Sequence, residues 1–121
     1  MVTKAEVGRR GEDIAVNYLR RNGFLICATN WRQGRYEIDI VAQKSGMVHF
    51  IEVKTRGINS LATPEQAVTK TKVAALHRAA SAYLAQYRVV GEVQFDLIAV
   101  DLFLDDTSDV RFVENIAEFG W

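Results

Sequence analysis

Residues 36–56 read YEIDIVAQKSGMVHFIEVKTR. Two runs of alternating apolar and polar residues flank Ser45-Gly46, a dipeptide of the two-residue hairpin class. If those two residues form the loop, Lys44 faces Met47, Asp39 lies opposite Glu52, and Glu37 lies opposite Lys54. Side chains alternate along a strand, so Glu37, Asp39, Glu52 and Lys54 project from one face. Ile38, Ile40, Ile51 and Val53 fill the other. Val41, Val48 and Phe50 share the face of the charged residues, which implies that it is partly covered. Like charges directly opposite one another destabilise a sheet. Water, an ion-pair cluster with Lys54 and neighbouring arginines, or a cation bound between Asp39 and Glu52 would relieve the conflict.

Upstream, Thr3 and Glu6 have capping-box spacing, and Val7, Gly11, Ile14, Ala15, Tyr18 and Leu19 recur at helical intervals to about Arg21. Phe24 to Ala28 is a short apolar strand continuing into Asn30-Trp31-Arg32. Downstream, GINSLA is a loop. Thr63-Pro64 reads as a helix start with proline in its first position, and Thr69 is a second plausible cap. Val73, Leu76, Ala80, Tyr83, Leu84 and Tyr87 then form an apolar stripe ending near Arg88. Val93 to Asp101 is a strand apolar on both faces, and a turn at 105–109 precedes a last strand, Val110 to Glu114. The order α-β-β-β-α-β-β, with strands apolar on both faces, predicts a central mixed sheet flanked by helices. Repeats, linkers and low-complexity tracts are absent, so residues 1–121 read as one domain.

Composition excludes several classes. A single cysteine, Cys27, rules out an internal disulfide framework, and its place in FLICA predicts a buried thiol. No apolar stretch reaches the roughly 18 residues of a membrane span, and the N-terminus has no signal-peptide pattern. These features read as a cytoplasmic protein. His49, His77 and Cys27 are too few to suggest a structural zinc site. The net charge is zero, yet residues 1–88 carry +7 and residues 89–121 carry −7. Either the basic part attracts a polyanion or the fold interleaves the two charges.

Asp39 and Glu52 offer hard oxygen ligands suited to Mg²⁺ or Mn²⁺, with a backbone carbonyl between strand positions to assist. Lys54, two residues past Glu52 on the same face, would sit beside an anion or water held there. Glu12 lies along the stripe of the first helix. It either points to the stripe's edge or supplies a carboxylate to the sheet below. Gly8 and Gly11 would let that helix approach closely.

At these residues the chain resembles a known group. Asp39 followed across a hairpin by Glu52-Val53-Lys54 is similar to the D…ExK core of the PD-(D/E)xK nuclease superfamily. The stretches GRRGEDIAVNYL, NWR, YEIDIVA, FIEVKTR, PEQAVTKTK and QFDLIAV resemble the YraN-like family of small bacterial proteins, distant relatives of Holliday-junction resolvases. The resemblance implies a restriction-endonuclease-like core. It also implies a metal held by Asp39, Glu52, the Val53 carbonyl and Glu12, with Lys54 acting on the attacking water or the phosphate. Three positions depart from the pattern: Tyr36 and Ala62 where the family usually has glycine, and Gln94 where it usually has arginine.

Arg9, Arg10, Arg32, Arg35, Arg56 and Lys72 are candidates for phosphate contacts, which give affinity without sequence choice. Lys72 reads more readily as a solvated lysine at the edge of the helical stripe. Glu37 would steady Lys54, and Asp96, on a buried strand, would be structural or would support the site. Trp31 is a base-stacking candidate or a core residue, and His49 a core or edge histidine. The leading expectation is a divalent-metal-dependent endonuclease acting on DNA, branched or junction DNA included. The rival is a nucleic-acid-binding or adaptor module that keeps the fold without cleaving, and a third reading is a purely structural ion-pair cluster. A homodimer fits related resolvases, though no interface is legible.

Overall fold

The computed structural model describes residues 3–57, 65 and 69–116. Helix α1 (Lys4–Arg21) starts at Thr3, whose hydroxyl accepts from the Glu6 N–H at 3.1 Å. Strands β1 (Leu25–Gln33), β2 (Tyr36–Lys44) and β3 (Met47–Arg56) follow. Helix α2 (Lys70–Tyr87) is capped by Thr69, which accepts from the Lys72 N–H at 3.3 Å. The proline-led start at Thr63-Pro64 lies outside the described residues. Strands β4 (Val93–Leu102) and β5 (Ser108–Val113) complete the order α-β-β-β-α-β-β.

The five strands form one sheet in the order β1-β2-β3-β4-β5. All neighbours are antiparallel except β3 and β4, which the α2 crossover joins in parallel. The mixed sheet expected from the sequence is therefore present. α1 lays Ala15 and Leu19 on Ile40, Ala42, Ile51, Val53, Ile98 and Val100. α2 lays Val73, Leu76, Ala79, Ala80 and Tyr83 on the opposite face, over Val41, Phe50 and Leu97. Gly11 sets the approach of α1. A Cβ placed there would lie 1.8 Å from Thr55 Oγ1 and 2.7 Å from Thr55 Cβ, so the helix touches β3 at that point. Gly8 has open space around it and plays no such part.

The hairpin turns at Ser45-Gly46, both with positive φ (53° and 78°), as a type I′ loop requires. Lys44 pairs with Met47, and the predicted register runs as far as Ile40 opposite Ile51. There it ends. Asp39 does not ladder with Glu52, nor Glu37 with Lys54, because β2 and β3 part below Ile40. β2 instead follows β1, and Ile38 pairs with Trp31. Ile38 correspondingly joins Trp31 and Phe50 on the α2 side rather than sharing a face with Ile40. The strand rotates between these residues, opposite Asn30, whose φ is 50°.

Cys27 departs from expectation for a similar reason. It is skipped at a bulge between Ile26 and Ala28 on the edge strand, and its thiol is exposed. Trp31 is a core residue, and its indole N–H donates to the Tyr87 hydroxyl at 3.3 Å.

At the hairpin end of the sheet, His49 is buried and its Nδ1 lies 2.6 Å from Oδ2 of the fully buried Asp96. Oδ1 of Asp96 accepts from the Gln94 amide at 2.8 Å and from the Asn115 N–H at 3.1 Å. Asp96 thus joins β3, β4 and the chain after β5, and Gln94 serves this junction. Asp96→Ala removes the partner of a buried imidazole and of a part-buried amide and backbone N–H. A loss of about 3–5 kcal/mol is expected by urea denaturation.

The charge halves interleave in part. Arg10 pairs with Asp106 at 3.2 Å and Arg56 with Asp101 at 2.8 Å. Arg111 grips Glu65 at 2.6 Å and also reaches Asp101 and Asp109. The Arg111 guanidinium holds the Glu65 carboxyl below its ordinary range. Among the described residues, no helix is long and apolar enough to cross a membrane.

Candidate metal and phosphate site

The parting of β2 from β3 opens a cleft of about 780 Å³ between the N-terminal half of α1 and that of α2. Glu12, Glu37, Asp39, Glu52, Val53, Lys54, Arg35, Arg56 and Lys72 line it. Those nine predicted site residues are therefore brought together from four elements and the β1–β2 turn. Arg9, Arg10, Arg32 and Asp96 are not among the lining residues. Lys4 and Arg78, which the sequence did not single out, are.

Asp39 sits where the sheet splits. Below Ile51 the β3 backbone has lost its β2 partner, and the orphaned Val53 N–H donates to Asp39 Oδ2 at 2.8 Å. The carboxylate thereby replaces a backbone carbonyl and is fixed in place. Its surroundings nevertheless oppose ionisation. Burial, followed by the charge of Glu52 and then that of Glu12, pushes its pKa from 3.8 up to about 7, against the Val53 hydrogen bond and Lys54.

Lys54 bridges Glu52 at 3.2 Å rather than Glu37, because the two strands are no longer opposite here. Glu37 turns outward to Arg32 at 2.7 Å. Lys72, in the first turn of α2, lines the same cleft as Lys54. Burial works against the charged form of Lys54. Its hydrogen bond with Lys72 and the charges of Glu52 and Asp39 outweigh that, so its pKa is raised. Lys72 is pushed down, first by its hydrogen bond with Lys54 and then by burial. Two lysine amines lining one cleft form a locus suited to a polyanion.

Among the described residues, no three Asp, Glu, His or Cys side chains sit closely enough together to hold an ion alone. The donor set fits Mg²⁺ or Mn²⁺ in a different way. Such ions are held by one or two carboxylates and keep several waters or substrate phosphate oxygens. Asp39 and Glu52 meet that description, and Glu12 lines the same cleft.

The model of the uncharacterised protein family UPF0102 matches residues 11–100. The chain belongs to the UPF0102 family. That span includes Gly11, Glu12, the whole hairpin and Lys72, and ends inside β4. The UPF0102 relatives include a Bacteroides fragilis protein, 40% identical over 93% of this chain and 89% of the relative. A second, from Bacteroides thetaiotaomicron, is 43% identical over 83% of each. A third, from Syntrophomonas wolfei, is 36% identical over 91% of this chain and 96% of its own length. These UPF0102 relatives carry no named activity, so function rests on the cleft.

Proposed function

We propose that the cleft is a divalent-metal-dependent phosphodiesterase site acting on nucleic acid, with DNA, including branched or junction DNA, as its substrate. One observation carries the reading: Asp39, Glu52, Lys54 and Lys72 line one cleft, with Lys54 paired to Glu52 at 3.2 Å. Asp39, Glu52, the Val53 carbonyl and Glu12 would hold Mg²⁺ or Mn²⁺. When bound, the ion polarises a phosphoryl oxygen and lowers the pKa of water. Lys54 supplies a point charge where negative charge develops on the phosphate, and its bond to Glu52 keeps it aimed there. Lys72 holds the neighbouring phosphate oxygen from the opposite wall. Lys4, Arg35 and Arg78 extend the cationic lining along the strand path.

A second reading, a nucleic-acid-binding module without turnover, has its own support. Asp39 already accepts from the Val53 N–H, and Glu52 already pairs with Lys54. Labelled flapped, branched, duplex and single-stranded DNA, incubated with Mg²⁺ or Mn²⁺, separates the two. Cleavage is expected in the wild type and lost in Asp39→Asn, with Lys54→Ala slower by roughly 10²–10³. Binding should weaken steeply with salt, and Lys72→Ala should reduce the slope by about 1. Salt-sensitive binding without cleavage would establish the second reading. Absence of both would leave only an ion-pair cluster.

A further inference from the structure

We propose that Tyr36 is a stacking platform for an unpaired nucleobase, which makes a single-stranded segment the preferred occupant of the cleft. The inference rests on the nucleic-acid reading above and adds strandedness to it. Tyr36 is the one aromatic ring among the described residues lining the cleft. It opens β2 immediately after the tight Gly34-Arg35 loop and pairs with Gln33, so its backbone is held in the sheet. The ring is half-buried, packed from behind against the core under α2. No described residue hydrogen-bonds its hydroxyl.

Ala75 of α2 adds a small exposed apolar surface to the cleft, and Arg35, Lys72 and Arg78 line it as well. A cleft that handled only phosphates and a cation would have no use for an apolar shelf between its basic residues. Stacking onto aromatic rings is how proteins hold unpaired bases without regard to sequence, while basic residues follow the backbone. In a duplex the base faces are already stacked on one another, so a fixed tyrosine engages only a base that is unpaired or extruded. Asp39 lies three residues along the same strand, roughly 10 Å from Tyr36 along the backbone. A base on the tyrosine would therefore place a nearby phosphate at the acidic end of the cleft. A tyrosine that merely caps the core would be indifferent to strandedness.

The test uses the full chain in EDTA, so that binding is read without turnover. The probes are a single-stranded oligonucleotide carrying 2-aminopurine, the same strand in a duplex, and unlabelled forms of each. The wild type should bind the single strand more tightly and quench its fluorescence. Tyr36→Leu should weaken single-strand binding by roughly 5- to 150-fold, the range found for losing one base–aromatic stack, and leave duplex binding unchanged. Tyr36→Phe should behave as wild type. Thermal melts of both variants establish that they are folded, and quenching by the wild type requires no variant at all. Equal affinity of the wild type for the two forms, or a folded Tyr36→Leu that keeps the preference, overturns the inference and leaves the proposed function standing. Failure of the wild type to bind either probe overturns both.

Discussion

Asp39→Asn is expected to stabilise the metal-free protein at pH 8, by about 2 kcal/mol or roughly 5–10 °C in melting temperature, while leaving it unchanged near pH 4. The folded state holds the Asp39 proton up to about pH 7, whereas the ordinary aspartate value is 3.8. A carboxyl whose pKa is raised by folding adds stability that is fully present below the ordinary value. That contribution is lost as pH rises through the folded one. Between these limits the ionised group comes to cost on the order of 4 kcal/mol, an upper bound for the gain on removing its charge. Asparagine keeps an oxygen for the Val53 N–H and removes the repulsion with Glu52 and Glu12, so about half that gain should survive. Melting curves of both proteins in EDTA from pH 4 to 8.5 read the effect. A constant difference across that range would show that Asp39 is not the strained group.

Gly11→Ala should have the largest effect on the fold of any single methyl addition in α1. The new Cβ would meet Thr55 Oγ1 at 1.8 Å, Cβ at 2.7 Å and Cγ2 at 2.8 Å. Rotating Thr55 moves Oγ1 and Cγ2 but not its Cβ, and the Thr55 backbone is held on β3 by its pairing with Val100 of β4. The helix must therefore lift from the sheet. Overpacking of this kind costs about 3 kcal/mol, offset by roughly 1 kcal/mol of gained helix propensity. Glu12, the next residue, would be carried away from the cleft, so metal affinity should fall together with stability. Urea denaturation of Gly11→Ala, Thr55→Gly and the double variant tests the contact. The double variant should be more stable than the sum of the single effects predicts. Additive losses would place the cost elsewhere.

Much of this site was legible because its parts are local in sequence. The Ser45-Gly46 loop and strict alternation set the hairpin register, and the register brings Asp39, Glu52 and Lys54 to one region. The point at which the ladder ends was not legible, since residues 37–40 and 51–54 alternate apolar and polar on both sides of it. Opposed carboxylates were thus predicted where the structure instead has a split sheet and an aspartate bonded to the freed Val53 N–H. Partners distant in sequence were also hidden. Asp96 was recognised as a buried acid needing company, but no local pattern names His49 and Asn115 as that company. Lys4 and Arg78 look like solvated helix residues until both helices are placed beside the cleft. The bulge at Cys27 left no trace in an otherwise apolar run.

We propose that Asp39 and Glu52 are held together in order to share a divalent cation. Calorimetric titration of Mn²⁺ into the metal-free wild type, Asp39→Asn and Glu52→Gln tests it most directly. Saturable binding is expected in the wild type and absent in both variants. The affinity should rise from pH 6 to pH 8, with proton release, as the ion takes up the ionised form of Asp39. No binding at millimolar Mn²⁺, or equal binding by all three proteins, would contradict the claim.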